Sequence, residues 1–359
     1  MPLMTPTRPT LLTTLPALPA ALSSTRLGIA VLAGAGLLLT ACGTGVQGPT
    51  GADADGGVDD GDAAVVDVAL ENCGQEMEFD AAPQRAVGMS PAQTELLVRL
   101  GLGDQVVGVA QTSSSELPED VSAQLGEAEE LSDDQPPSRE VLLQVEPDFV
   151  FAPTSYEFSA DQGFASIAQL ADAGAASYIA TGGCFERRSE GTVEDLFTDI
   201  ENLGEIFAAE EAAEELIDDG RDRLQGAAEL SDGAEPLSVA QVYVEGDTLS
   251  VVGGGVEYDI IAQAGGDNVF SPDEDQFDSF VFAQISAEEL AARDPEAIVF
   301  GVEDTAHEET TREYFAQNHS EVQAVQEDRL IPVPNHHLFP GSLQNIDAVE
   351  RVADGLYGG

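Results

Sequence analysis

From residue 86 onward, short apolar runs alternate with stretches whose apolar residues return every three or four positions. The runs at 86–89, 105–110, 148–152 and 177–180 read as strands, with helices at 91–100, 138–145 and 163–173 between them. Strands recur at 237–245, 248–252, 297–302 and 330–333, with helices at 258–264 and 345–356. Strands separated by helices imply βαβ units and largely parallel sheets. Between the two sets lies a different segment. Val193, Leu196, Phe197 and Ile200 begin a step of three and four that continues to Leu224, which predicts one long amphipathic helix over residues 191–231. Thr192 with Asp195 forms a capping-box pattern at its start, and Ser231-Asp232-Gly233 marks its end. Unbroken, such a helix is about 55 Å long, more than one small domain needs.

The two sets also echo each other. Ser138 begins a helix that Pro147 ends, and Ser286 begins another that Pro295 ends, with the same spacing in both. Serine caps a helix start, and proline cannot continue a helix. The predicted fold is α/β: two Rossmann-like lobes with largely parallel sheets, residues 65–190 and 232–359, joined by one long helix with a ligand cleft between them.

The first 64 residues carry neither pattern. Residues 27–41 form an apolar stretch after Arg26, shorter than the 18 or more residues of a membrane span. It reads as the core of a signal peptide over residues 1–41. It ends in Leu39-Thr40-Ala41-Cys42, which resembles the bacterial lipobox, in which the cysteine becomes the lipidated first residue. Residues 42–64 are Gly-, Asp- and Ala-rich and form an expected tether, because they hold too little apolar surface to offset their ordering entropy. The expected location is the extracytoplasmic face of the cell membrane, held by lipid on Cys42. Export also gives Cys73 and Cys184 an oxidising compartment, where a disulfide between them is expected, the alternative being two unrelated buried thiols.

Charge removes one class of partner. The chain has 67 Asp and Glu against 13 Lys and Arg, net −54, and every one of the 13 is arginine. Such a surface repels phosphate backbones, so nucleic acid is excluded. Enzyme motifs fail in their context. Gly43-Thr44-Gly45-Val46-Gln47-Gly48 has no strand before it, Gly88-Met89-Ser90-Pro91-Ala92 lacks the second glycine of a nucleophile elbow, and His307-Glu308 has no second histidine at metalloprotease spacing. No catalytic site and no cofactor are expected.

Several segments resemble the substrate-binding proteins of siderophore, haem and vitamin B12 ABC importers. They are residues 85–97, the Leu100-Gly101-Leu102-Gly103-Asp104 run, Glu146-Pro147-Asp148, Ala264-Gly265-Gly266-Asp267-Asn268 and Arg293-Asp294-Pro295-Glu296. The placement of Cys73 and Cys184 is similar to an actinobacterial branch of that family. The resemblance implies a monomeric receptor that binds a solute between its lobes, uses the long helix as a stiff hinge, and docks on a permease through an acidic residue of each lobe.

Ligands of α/β sheets bind beyond the carboxyl ends of the strands. The expected ligand residues are therefore Ser90, Gln93, Tyr156, Phe158, Arg187, Arg188, Phe280, His336 and His337. Glu157 and Asp161 on the first lobe, with Glu308 and Glu309 on the second, are the expected docking acids. Arg187 and Arg188 suit an anionic ligand such as a ferric siderophore, or they pair with the chain's own acids. The four histidines all lie in the second half, and adjacent His336 and His337 diverge in regular structure. Direct metal coordination is thereby disfavoured, and no metal ligand is assigned. A receptor for free metal, cobalamin or haem is the alternative within the class. A surface lipoprotein acting as sensor or adhesin is the alternative outside it.

Overall fold

The computed structural model describes residues 63–358. The predicted signal peptide, Cys42 and the tether up to residue 62 lie outside the described residues. Strands β1 (Val65–Asn72) and β2 (Gln75–Ala81) form an antiparallel hairpin that the apolar pattern did not delimit. Cys73 and Gly74 both have positive φ, as a two-residue hairpin turn of this hand demands. The Asn72 side chain bonds both the N–H and the C=O of Ile179, so the hairpin is fastened to the first lobe.

That lobe runs β3 (Ala86–Gly88), α1 (Pro91–Arg99), β4 (Val106–Val109), α2 (Glu119–Ser122) and β5 (Glu129–Glu130). It continues through α3 (Arg139–Gln144), β6 (Phe149–Ala152), α4 (Ile167–Asp172) and β7 (Ala176–Ile179). Its five strands are all parallel, in the order β5-β4-β3-β6-β7. Two helices follow, α5 (Glu194–Phe207) and α6 (Glu210–Leu230). The second lobe holds β8 (Leu237–Glu245), β9 (Thr248–Val252), α7 (Gly255–Gln263), β10 (Gly266–Asn268), β11 (Phe282–Gln284), α8 (Ala287–Arg293), β12 (Ala297–Val302), α9 (Thr305–Asn318), α10 (Gln323–Gln326), β13 (Leu330–Pro334) and α11 (Gln344–Tyr357). Its sheet is mixed, β11-β9-β8-β12-β13, with β10 also beside β8.

The internal echo is physical. Ser138 and Ser286 cap α3 and α8, accepting the N–H of Val141 and Glu289. Glu146 and Asp294, each just before its proline, have φ of 45° and 44°. Proline disfavours the α conformation in the residue before it, and both helices leave through the left-handed region instead. The acid after each proline then pins the start of a neighbouring strand. Asp148 accepts the backbone N–H of Gln84 and Arg85 at 2.8 Å, and Glu296 accepts that of Ser238 at 2.9 Å.

The segment expected as one long helix is two. Ala208 takes a left-handed φ of 54°, and the Ala209 N–H closes back on Gly204 O at 2.7 Å, a Schellman-type end. The chain then reverses: Arg221 of α6 approaches Glu194 of α5 at 3.9 Å, and its guanidinium lies 5.2 Å from the Phe197 ring. α5 buries its apolar face with the first lobe, and only α6, about 32 Å of helix, runs on toward the second. The break escaped the sequence pattern because Ala208-Ala209 carries neither Gly nor Pro, and the apolar period continues across it. Gly204 is the local signal: a Cβ there would lie 2.6 Å from that of Ala213, so the two helices can cross only over a glycine.

Cys73 and Cys184 form a disulfide that ties the hairpin turn to the chain leaving β7. It closes a loop of 111 residues, for which the chain-entropy model gives about 5 kcal/mol. Replacing both cysteines by serine is expected to lower unfolding stability toward that amount in denaturant titrations. Alkylation of the native secreted protein should find neither thiol free.

Candidate functional site

The two lobes meet where the loops after the first lobe's strands face the loop after β13. Gln93 of α1 is fully buried and donates through Nε2 to the carbonyls of Pro340, 3.1 Å away, and Gly341, 3.2 Å away. Its Oε1 accepts the Ser90 hydroxyl, and Gln344 of α11 donates to Glu95 of α1. Gln93, expected to touch ligand, is thus occupied in holding the lobes together, and Ser90, also expected there, in orienting Gln93. Gly341 fits this seam because it has φ +68° and lacks a Cβ, which would lie 2.5 Å from Ala180. Beneath it Asp199 accepts bonds from Thr181 and Tyr178, and burial pushes its carboxyl up to about 7.

A cavity of about 250 Å³ opens beside the seam, lined from one lobe by Pro91, Glu95 and Glu116 and from the other by His336, His337 and Asp347. The histidine rings sit edge-to-face 4.5 Å apart. Burial holds the His337 imidazole down at about 4 and lowers that of His336 as well, so both are neutral at pH 7. Among the described residues, no three His, Cys, Asp or Glu side chains are grouped to hold a metal ion.

Exposed aromatics mark the strand ends. Tyr156 is 48 % exposed after β6, Phe185 lies open after β7, Phe280 is 54 % exposed before β11, and Phe339 follows β13. Phe158 belongs elsewhere. At 7 % exposure it is part of the first lobe's core, because the short turn of helix at Ser155–Phe158 points it inward while Tyr156 faces out. Glu157 is also corrected. It is 5 % exposed, accepts the Thr154 N–H and hydroxyl at 3.1 and 2.7 Å as a capping box, and is raised in pKa by burial, so it cannot meet a permease. Asp161 and Glu309 are exposed, and Glu308 pairs with Arg312 of its own helix at 2.9 Å.

The arginine pair divides. Arg187 is bound to Asp195 at 2.8 Å and donates to Thr181 O, whereas Arg188 has no ion pair among the described residues. Opposite Arg188 the second lobe presents a polar floor that the sequence reading missed. Glu257, buried in the first turn of α7, accepts the Tyr243 hydroxyl at 2.9 Å and the Gln241 amide at 3.0 Å. Burial raises its carboxyl to about 7, with the Tyr243 bond and the Arg188 charge opposing. The signal that could have found it is Gly253-Gly254-Gly255, which starts α7 three residues before the predicted helix and brings other backbone close.

A sequence profile of periplasmic binding proteins matches residues 87–336. The chain belongs to that family. Among its curated relatives, the vitamin B12-binding protein of Vibrio cholerae is 24 % identical over 75 % of this chain and 87 % of its own length. The uncharacterized ABC transporter substrate-binding lipoprotein YvrC of Bacillus subtilis is 26 % identical over 79 % of the chain and 83 % of its own. Among solved structures, a periplasmic binding protein from Veillonella parvula superposes with a TM-score of 0.71 at 25 % identity, covering 82 % of this chain and 98 % of that one. The ABC-type Fe3+-hydroxamate transport system protein of Saccharomonospora viridis, at 19 % identity, shares the fold with a TM-score of 0.65 over 80 % of this chain and 98 % of its own. Ligand sites form preferentially where two domains meet, and the seam lies at such a meeting of the lobes.

Replacing Gly341 by Ala should disturb that seam directly. The added methyl meets Ala180 in a backbone conformation that L side chains avoid, so thermal unfolding is expected to show a loss of about 1–3 kcal/mol. An unchanged melting curve would mean that the loop at 340–342 does not hold the lobes.

Proposed function

We propose that this protein is the extracytoplasmic, lipid-anchored solute receptor of an ABC importer, and that its cleft captures a ferric siderophore or a similar iron complex for delivery to the permease. The observation that carries the reading is the chemistry near the strand ends: exposed aromatics from both lobes and Arg188, which has no ion pair among the described residues, while no grouping of described side chains suits a bare ion. Aromatic faces and a guanidinium recognise a chelate, in which the metal arrives with its coordination already filled. The names of the relatives also support a cobalamin receptor, since the Vibrio cholerae protein is called vitamin B12-binding. The lipid anchor is carried by Leu39-Thr40-Ala41-Cys42 together with the name of the Bacillus subtilis relative.

Native mass spectrometry against ferric hydroxamates, ferric catecholates, haem and cobalamin is the direct test. Retention of a ferric chelate in preference to cobalamin and haem is the expected outcome. Tight binding of plain zinc or manganese, lost on replacing His336 and His337, would overturn the reading.

Docking across both halves of a permease needs acids at matching places on the lobes. The internal echo supplies Glu140 and Glu288, each the second residue of a serine-capped helix and each exposed. Asp161 and Glu309 are the exposed remainder of the acids expected from sequence. Exposed ion pairs contribute only about 0–1 kcal/mol each, but opposite charge raises association rates. Reversing the charge of Glu140 with Glu288 should lower transport and leave solute affinity unchanged. Reversing Asp161 with Glu309 is the competing test, and the pair whose reversal slows transport is the docking pair.

A further inference from the structure

The connecting segment after β7 is packed on the second lobe where Glu257 sits. A Cβ on Gly255 would lie 2.8 Å from the Arg188 carbonyl, and one on Gly254 would lie 3.1 Å from that of Ser189. The backbone of Arg188 and Ser189 therefore rests on the first turn of α7, an approach that only glycines allow. Glu257 lies two residues further along that turn. Tyr243 extends from β8 to its carboxylate, and the ring continues into an aromatic ladder, 5.5 Å to Phe282 and another 5.3 Å from Phe282 to Phe280. Phe280 is exposed, so the ladder runs from the buried acid to the protein surface. Two acceptors on this floor, Gln241 Oε1 and Asn335 Oδ1, are buried without a partner.

We propose that Arg188 and Glu257 form a proton-controlled recognition pair, in which Arg188 binds an anionic ferric chelate and ionised Glu257 competes with that chelate for the guanidinium. This inference rests on the receptor reading above and adds the sign of the ligand's charge and its coupling to pH. Arg188 is the guanidinium left for a ligand because Asp195 already holds Arg187. Its chain neighbours Glu186 and Glu190 are exposed and turned to solvent, which screens them. From β8, Tyr243 and Gln241 both donate to Glu257 Oε2, and burial of Glu257 with its carboxyl near 7 keeps the balance within the physiological range. Below pH 7 the acid takes up a proton and stays neutral, and the Arg188 charge is then directed wholly at the cleft. Above pH 7 the carboxylate draws on the same charge. Anion binding neutralises Arg188 and so raises the Glu257 pKa further. Chelate and proton must therefore bind with positive linkage.

The test uses two readouts on the folded, lipid-free secreted protein. In the first, the Glu257 carboxyl is followed by carbon NMR without ligand. Arg188→Gln should move its titration to higher pH, and a titration that does not move overturns the pair. In the second, affinity is measured between pH 6 and 8 for an anionic ferric tris-catecholate and an uncharged ferric trihydroxamate. The catecholate should bind several-fold tighter at pH 6 than at pH 8, and Glu257→Gln should abolish that slope at the tighter level. Arg188→Gln should weaken the catecholate by about tenfold or more, as the loss of a charge-assisted contact. Equal affinity and equal pH dependence for the two chelates would overturn the proposal while leaving the receptor reading intact. Binding of neither chelate, with the NMR coupling present, would instead overturn the receptor reading and the anionic ligand with it. Should Glu257→Gln fail to fold, the Arg188→Gln titration and the wild-type pH slope still decide.

Discussion

Two separately twisted sheets cannot share a core by direct contact here, because each faces the cleft with its strand ends rather than with a face. Helices α5, α6 and α11 fill the space, and they meet at Gly220. A Cβ there would lie 2.7 Å from Phe197 of α5 and 2.9 Å from Ile346 of α11. Leu224 and Ala227 of α6 extend the same apolar stripe, and one continuous core runs from Phe149 of the first sheet to Val299 of the second. On the outer side Arg223 of α6 holds both Asp347 and Glu350 of α11. The relative placement of the lobes, and with it the width of the cleft, follows from this three-helix junction and from the seam at Gln93 and Gly341.

A junction of that kind restricts the motion that a ligand can induce. The helix that crosses between the lobes is α6 alone, and it is clasped on both sides. Any change in the width of the cleft would have to be taken up at the seam and in the segment from Cys184 to Thr192, which the disulfide anchors at one end. Arg188 lies in that segment. Its carbonyl, with that of Ser189, rests against Gly255 and Gly254 of the second lobe, so this segment of the first lobe reports the position of the second.

Acidity in this protein has two separate physical roles. Most of the carboxylates are solvated surface. Five of those described are buried, and each has a defined use: Glu95 accepts Gln344 across the seam, Glu157 caps a turn, Asp195 holds Arg187, Asp199 gathers the hydrogen bonds of Tyr178 and Thr181 beneath the seam, and Glu257 forms the floor opposite Arg188. A net charge count cannot separate these groups, because burial and not composition moves a carboxyl toward neutrality.

The sequence by itself determined the central strands of both sheets, most of the helices that alternate with them and the repeated Ser-to-Pro unit, but not the β1–β2 hairpin or the short strands β5, β10 and β11. Periodicity and capping are local, and each is encoded within about ten neighbouring residues. It also singled out the loops after the strands as the place to look for ligand residues, since parallel strands present ligands at their carboxyl ends. Tertiary structure decided the rest. The reversal at Ala208 depends on Gly204 meeting Ala213 across the two helices, a contact that an uninterrupted apolar period conceals. Whether Arg187 or Arg188 is free depends on which of them reaches Asp195, and two adjacent arginines are indistinguishable in a string. Gln93 left the ligand set because its partners, Pro340 and Gly341, are 247 and 248 residues away. Glu257 stood out only in the fold, because Tyr243, Gln241 and Arg188 approach it from two other elements, which no local pattern records.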